Sequence, residues 1–353
     1  MIRRVTLLDL LAIDVPLVQA PMASSNDSRL VVAVSEAGGL GSLPCALLTP
    51  DRIREEVCAV RAGTDRPFNL NFFCHRSDPP GDAAGERWLA RLADYYAELE
   101  TEPPAALTSG RTPFDEDLCA LVEELRPPVV SFHFGLPSVP LVDRVRATGA
   151  TVISSATTVA EARWLAEHGC DAVIAQGAEA GGHRGMFLTD EPAAQVGTLA
   201  LVPQVVDAVD VPVIAAGGIA DARGVAAALA LGAQGVQVGT AFLRTPEATT
   251  SAVHRRALAD AADDATVLTN VMTGRPARGI VNRMVGEVGP LSGDAPVFPY
   301  ATAGIAPLRA AAEAHGSGDF SPLWAGQAAP LAREEPAEDV VRRLVIDSIG
   351  YRS

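Results

Sequence analysis

Residues 166–185 read AEHGCDAVIAQGAEAGGHRG, and the punctuation of this stretch decides the fold. A helix-like segment stops at Gly169, and a short apolar run, Ala172–Ala175, follows. The run opens at its carboxyl end into Gln176, Gly177, Gly181, Gly182, His183 and Gly185. Glycine just past a helix accepts the left-handed backbone that ends it and turns the chain into the next element. The same helix–Gly–strand unit recurs in SEAGGLGSL (35–43), RATGATVIS (146–154) and ALGAQGVQV (230–238). Four further strands are entered through proline, in DVPLVQAP, DRPFNLNF, RPPVVSFHF and DVPVIAAGG. Proline stops the preceding helix and is tolerated at the first position of a strand.

Working outward, this gives eight expected strands near 16–20, 40–43, 68–72, 129–133, 151–155, 172–175, 212–216 and 235–239. Most are nearly continuous apolar runs, as expected when both faces of a parallel sheet are covered. Helix starts lie between them. Thr158 and Glu161 have capping-box spacing, and Asp221 precedes an Ala-rich helix over 222–231. Eight β/α units by about residue 245 predict an α/β fold of the TIM (β/α)8 type, with a doubly wound open sheet as the alternative. The expected division is a barrel over 1–245 and a helical cap or substrate region over 246–353 packed on it. Helices are expected in that tail near 249–262, 304–315 and 335–348, with TNVMTGRPARGIVNR (269–283) irregular. The long connection 73–128 between the third and fourth strands contains SDPPGDAAG and Tyr95-Tyr96, and reads as a lid or an inert excursion.

Composition narrows the function classes. A net charge of −15 and a pI near 4.8 argue against nucleic acid, whose phosphates need a basic face. No apolar run approaches the ~20 residues of a membrane span. The opening MIRRVTLLDLLAIDVP lacks a small-residue cleavage site and is interrupted by Asp9 and Asp14, so it reads as mature protein and the expected compartment is the cytosol. The sequence contains no lysine, which excludes a lysine Schiff base and leaves anions to arginine, histidine or backbone N–H groups. Cysteines 45, 58, 74, 119 and 170 form no CxxC pair and suggest neither a metal site nor a disulfide framework. Quaternary state is open between monomer and homodimer.

In a TIM barrel the chemistry sits at the carboxyl ends of the strands, and phosphate is held by the loops after the seventh and eighth. Those loops are AAGGIAD (215–221) and QVGTAF (237–242), where Gly217, Gly218, Gly239 and Thr240 offer backbone donors and a hydroxyl. Each alone can be mere turn geometry. Met22, in the QAPMA turn after the first strand, is either barrel core or a wall for a flat ring. Asn69 and Asn71 share one face of their strand by period-2 alternation, serving either a structural network or the polar edge of a flavin. Gln176 poses the same choice. Among six histidines, His168 and His254 read as surface residues, and His133 ends the fourth strand facing barrel or pocket. His183, in a Gly-rich loop at a strand tip, reads as an acid/base or substrate-anchoring residue, or as a bland loop histidine.

With these residues in place the chain resembles the nitronate monooxygenases, the FMN-dependent family once called 2-nitropropane dioxygenases, class I in particular. AQGAEAGGHRG is the most specific element, and QAPMA, FNLNFF, AAGGIAD, VGTAF and LWAGQ (323–327) complete an ordered set. The resemblance implies FMN contacted by Met22, Asn71, Gln176, Gly181, Gly218, Gln237, Val238, Gly239 and Thr240. It implies His183 as the active-site base, abstracting the α-proton of a nitroalkane or, as imidazolium, holding a nitronate. The implied reaction is oxidation of an alkyl nitronate, such as propionate 3-nitronate, by O2 to a carbonyl compound and nitrite, with no nicotinamide. His133 is expected as a second-tier pocket residue, and the cap is expected to offer Tyr300 and Arg309 to the substrate. The alternatives are an FMN-dependent NAD(P)H oxidoreductase of the enoyl-ACP or quinone reductase type on the same barrel, and a flavin-free binding barrel.

Overall fold

The computed structural model describes residues 6–76 and 79–349. Residues 1–5 of the apolar opening and residues 77–78 of SDPPGDAAG lie outside the described residues. Eleven strands occur among the described residues: β1 (Leu17–Gln19), β2 (Gly41–Pro44), β3 (Phe68–Phe73), β4 (Val129–His133), β5 (Thr151–Ala156), β6 (Ala172–Gln176), β7 (Gly182–His183), β8 (Val213–Ala216), β9 (Gly235–Val238), β10 (Thr266–Thr269) and β11 (Ala277–Ile280). Eight are parallel neighbours in the order β1-β9-β8-β6-β5-β4-β3-β2. The ring closes where Val18 bridges Leu40, with Gln19 N–H donating to Leu40 O and Leu40 N–H to Leu17 O, both at 2.9 Å. This is a TIM barrel, with each of its eight strands within two residues of its expected position.

The barrel interior changes character along its axis. At the amino-terminal end Val18, Leu40, Val129, Ile153, Ala172, Ile174 and Ile214 pack with Leu7, Leu11 and Ile13 of the opening segment. The apolar opening therefore plugs the bottom of the barrel, and Leu7 N–H is tied to Gln234 Oε1 at 2.9 Å. Toward the carboxyl end the inward positions turn polar. Asn69 Nδ2 donates to Ser42 Oγ (3.0 Å) and Ser131 Oγ (2.8 Å), and Asn71 Nδ2 donates to Ser131 Oγ (2.9 Å). Buried polar groups persist only when paired, so this layer marks where packing gives way to a site.

Helices follow the strands on the outside. Thr158 caps the helix Val159–Glu167 by accepting from Glu161 N–H at 3.2 Å. The reciprocal arm expected of a capping box goes elsewhere. The fully buried Glu161 carboxylate accepts from Thr157 N–H and Oγ1 (both 2.7 Å) and from the N–H groups of Phe187 (2.6 Å) and Leu188 (3.1 Å). It thereby staples the chain after His183 to the end of β5. Asp221 caps the helix Ala222–Ala230 as expected, accepting from Arg223 and Gly224 N–H.

Three excursions leave the carboxyl ends of β3, β6 and β9 and form a roof. Trp88 and Leu92 from the first, with Tyr95 and Tyr96, share one apolar cluster with Met272, Met284, Ile305, Leu308 and Phe320 from the third. Trp88 is fully buried, its Nε1 donating to Ala301 O at 3.2 Å, and Tyr95 Oη donates to Glu287 at 2.8 Å. The long β3–β4 connection is thus packed structure that helps cover the cavity, not an inert excursion. The helix Ala301–Ala314 belongs to this roof, but the last helix, Ala337–Ile349, does not. Its Ala337, Val340, Val341 and Leu344 pack in the barrel's outer core beside the helices Ser28–Glu36 and Ala222–Ala230. It completes the helical ring after β9, so the tail beyond 246 is not wholly a cap. TNVMTGRPARGIVNR is not irregular either: β10 and β11 pair antiparallel, and β11 also pairs with β7 through Ala277–His183 and Arg278–Gly182.

Candidate active site

A cavity of about 340 Å3 lies between the strand tips and the roof, within the usual size range for small-molecule sites. Its floor is lined by Ala20, Pro21, Met22, Asn71, Gln176, Gly217, Gly218, Gln237, Gly239 and Thr240. The sequence brings these together from five strand ends, β1, β3, β6, β8 and β9. Gly217 (φ +114°) and Gly218 (φ +70°) hold conformations that L side chains avoid, and among the described residues no backbone carbonyl takes their N–H groups. Successive free N–H groups in such a turn form an anion-binding concavity. The N-terminus of the following helix is already capped by Asp221, so an anion here would depend on the glycine turn.

The expected contacts divide once their partners are counted. The Gln237 side chain lines the cavity and makes no hydrogen bond among the described residues. Thr240 Oγ1 accepts from Gly326 N–H at 3.0 Å, tying β9 to the LWAGQ segment. Both ends of Gln176 are engaged: Nε2 donates to His183 O (3.0 Å) and Oε1 accepts from Gly185 N–H (2.8 Å). Gly181 sits so close to the roof that a Cβ there would lie 2.5 Å from Gly326 N. Val238, expected among the cofactor contacts, alternates away from the mouth into the outer core and does not line the cavity. Met22 packs on the core and also lines the floor.

His183 stands on β7 beneath a ring of aromatic side chains: Phe298 at 5.2 Å, Trp324 at 5.6 Å, Phe134 at 5.9 Å and Phe73 at 6.1 Å between centroids. Phe134 takes φ +70°, a strained backbone often found at sites where a side chain must be aimed. His183 Nε2 lies 3.0 Å from Thr273 Oγ1, and that hydroxyl also reaches Arg275 O at 3.4 Å. If the hydroxyl donates to the carbonyl it must accept from Nε2–H, which leaves Nδ1 with the lone pair. Burial, then the charges of Arg111, His133, Arg275 and His75, holds the imidazole pKa well below its ordinary 6.5. His183 is therefore neutral at pH 7.

His133 lines the cavity but braces the loop, with Nε2 3.2 Å from His183 O and Nδ1 3.1 Å from Ser155 Oγ. Burial pushes its pKa down to about 3. Arg184 locks the loop from below, donating to Gln195 Oε1 (2.9 Å), Gly177 O (2.7 Å) and Gln176 O (2.7 Å). Arg278 does so from the side, donating to Ala178 O at 2.8 Å.

Two expectations for the histidines and the cap need correcting. His254 is not a surface residue. It is buried and lines the roof side of the cavity, with Nε2 3.0 Å from Trp324 O and a pKa pushed by burial down to about 4. Its i,i+4 spacing from the buried Leu258 was the available signal. Tyr300 is buried at the start of its helix and does not line the cavity; Pro299, Thr302 and Arg309 do. Sequence reasoning missed Phe298, Trp324, Thr273 and Arg111 altogether. Only Phe73, two residues beyond Asn71 on the same strand face, carried a usable pattern.

Comparison with known proteins agrees with this geometry. Residues 4–347 match the family described as "Nitronate monooxygenase". The chain is 44% identical to the nitronate monooxygenase of Pseudomonas aeruginosa, over 97% of this chain and 98% of that one. The solved nitroalkane oxidase from Streptomyces ansochromogenes superposes with a TM-score of 0.91 at 41% identity, covering 98% of this chain and 99% of the other. FabK from Thermotoga maritima superposes with a TM-score of 0.72 at 28% identity, covering 99% and 97%. A glycine-floored barrel mouth, an imidazole held neutral above it and near-complete alignment with these relatives lead to one assignment: this oxidoreductase belongs to the nitronate monooxygenase family.

Proposed function

We propose that the chain binds FMN across the barrel mouth and oxidises alkyl nitronates of the propionate 3-nitronate type with O2 to a carbonyl compound and nitrite. Family membership implies a flavin. The residues present fit one: free N–H groups at Gly217 and Gly218 for a phosphate, an apolar Ala20–Met22 wall for a ring, and Asn71 and Gln237 for its polar edge. Buried beneath them, Asn69 Oδ1 has no partner among the described residues. The flavin, when bound, supplies the electron transfer; the protein supplies orientation, electrostatics and exclusion of water.

The observation that carries the reading is the meeting at one mouth of the free Gly217 and Gly218 N–H groups with the His183 imidazole. Held neutral with Nε2 fixed by Thr273, His183 serves as a base for the α-proton of a neutral nitroalkane. The same burial weighs against an imidazolium clamp. The aromatic ring around His183 excludes water and keeps the imidazole unprotonated, while Gln176 and His133 hold its backbone carbonyl in place.

The test is direct. The purified protein should be yellow, release FMN on denaturation, and consume O2 while producing nitrite from propionate 3-nitronate without NADH. A colourless preparation, or one inert to nitronates, overturns the proposal. The likeness to FabK supports one second reading, an FMN-dependent NAD(P)H oxidoreductase on the same barrel. Rapid anaerobic bleaching of the flavin by NADH would favour it.

A further inference from the structure

Arg111 lines the cavity and has no role in the account above. It lies in the β3–β4 excursion, with its guanidinium 5.0 Å from the centroid of Phe298 and 5.9 Å from that of Phe73. Both rings also pack against His183. The other arginines near the mouth are committed to protein acceptors. Arg184 and Arg278 are bonded to loop carbonyls, Arg275 donates to Met186 O and stacks on Phe134, and Arg309 pairs with Glu313 at 2.8 Å. The Arg111 guanidinium has neither a carboxylate nor a carbonyl partner among the described residues. Burial lowers its pKa to about 10, which leaves it charged at neutral pH.

A cation withdrawn from water without a counter-ion is costly unless an anion completes it. The nearby histidines do not compensate: His183, His133 and His75 are all neutral for the same reason of burial. A planar guanidinium fork suits the two oxygens of a carboxylate. Arg111 and His183 flank the same two rings, Phe298 and Phe73, and line the same cavity.

We propose that Arg111 anchors a second anionic group of the substrate, a carboxylate a few bonds from the reacting carbon, so that the β3–β4 excursion sets a preference for carboxylated over uncharged-tail nitronates. The assignment rests on the nitronate reading, and the experiment separates the two. Steady-state kinetics of wild type, Arg111→Gln and Arg111→Lys are measured with propionate 3-nitronate and with propyl-1-nitronate. Arg111→Gln should raise KM for the carboxylated substrate by about 10- to 100-fold, as for loss of a charged hydrogen bond. Its kcat should hold within about threefold and KM for propyl-1-nitronate within about twofold, since that substrate never uses the pair. Arg111→Lys should recover part of the loss. Equal losses on both substrates, no loss on either, or a charge-selective loss on Arg309→Gln in its place would overturn the assignment. If wild type consumes neither nitronate, the nitronate reading fails by itself. Calorimetric titration with propionate then decides the anchor: weaker binding to Arg111→Gln supports it, and equal binding overturns it.

Discussion

The floor and the roof of the cavity enclose the same space by opposite means. The floor is made of strand tips, where each residue is placed by a neighbour in the parallel ladder and each turn by a glycine or a proline. The roof is assembled from three excursions far apart in the chain, joined by a short antiparallel sheet and one apolar cluster. The floor presents backbone N–H groups and amides; the roof presents aromatic rings, arginine and histidine. The part of the site proposed to hold the flavin can therefore be rigid and repetitive. The part that meets substrate is free to vary, provided His183 stays fixed where the two meet.

The sharpest way to break this contrast is at the junction itself. His183→Asn should lower nitroalkane turnover by about 10²- to 10⁴-fold, the usual contribution of a positioned base. It should lower turnover of preformed nitronate by less than about tenfold, because that proton is already gone. Nitrite release from both substrates reads the difference, and equal losses would remove the base role.

Glu161→Ala comes next. It leaves the buried N–H and hydroxyl of Thr157 and the half-buried N–H of Phe187 without their acceptor, at a cost of about 2–3 kcal/mol. Urea unfolding should show this loss. A change under about 1 kcal/mol would mean the staple between β5 and the loop is not needed.

Acid should separate the two regions further. His75 and His254, both under the roof, have pKa values pushed down to about 4, whereas the unfolded chain titrates near 6.5. Between those values the unfolded state binds more protons, so stability rises with pH and is lost on acidification from about 6.5 toward 4. Each histidine accounts for about 3 kcal/mol across that window. Thermal melts of wild type and His254→Gln from pH 7.5 to 4.5 should converge as the pH falls; parallel curves would contradict the assignment.

The smallest effects come from paired glycine substitutions. Gly181→Ala puts a Cβ against Gly326 N and should cost about 1–3 kcal/mol while loosening flavin retention. Gly182→Ala meets nothing within 4 Å but sits at φ +72°, so it should cost only about 1 kcal/mol and retain flavin. Flavin content after gel filtration, with melting temperature, distinguishes strap from turn.

The same contrast explains what the sequence made legible. Parallel strands buried on both faces show as apolar runs bounded by Gly and Pro, so the barrel and its glycine tips can be read without a structure. Asn69 and Asn71 were legible as one face because period 2 is local. β10 and β11 were not, since TVLT and ARGI are short, mixed in polarity and stabilised by pairing with each other and with β7. Phe298, Trp324 and Arg111 converge on His183 from segments far apart, and no local spacing encodes that meeting. The last helix misled because an amphipathic pattern says that a face is buried but not against what.

The union of β7 with β11 has a consequence for turnover. Ala277 is paired with His183 and Arg184 N–H donates to Pro276 O at 2.9 Å, so the hairpin and the imidazole are parts of one body. A cover that swung clear of the mouth would carry the base away with it. Reactant and product must therefore come and go with the pairing of β7 and β11 intact.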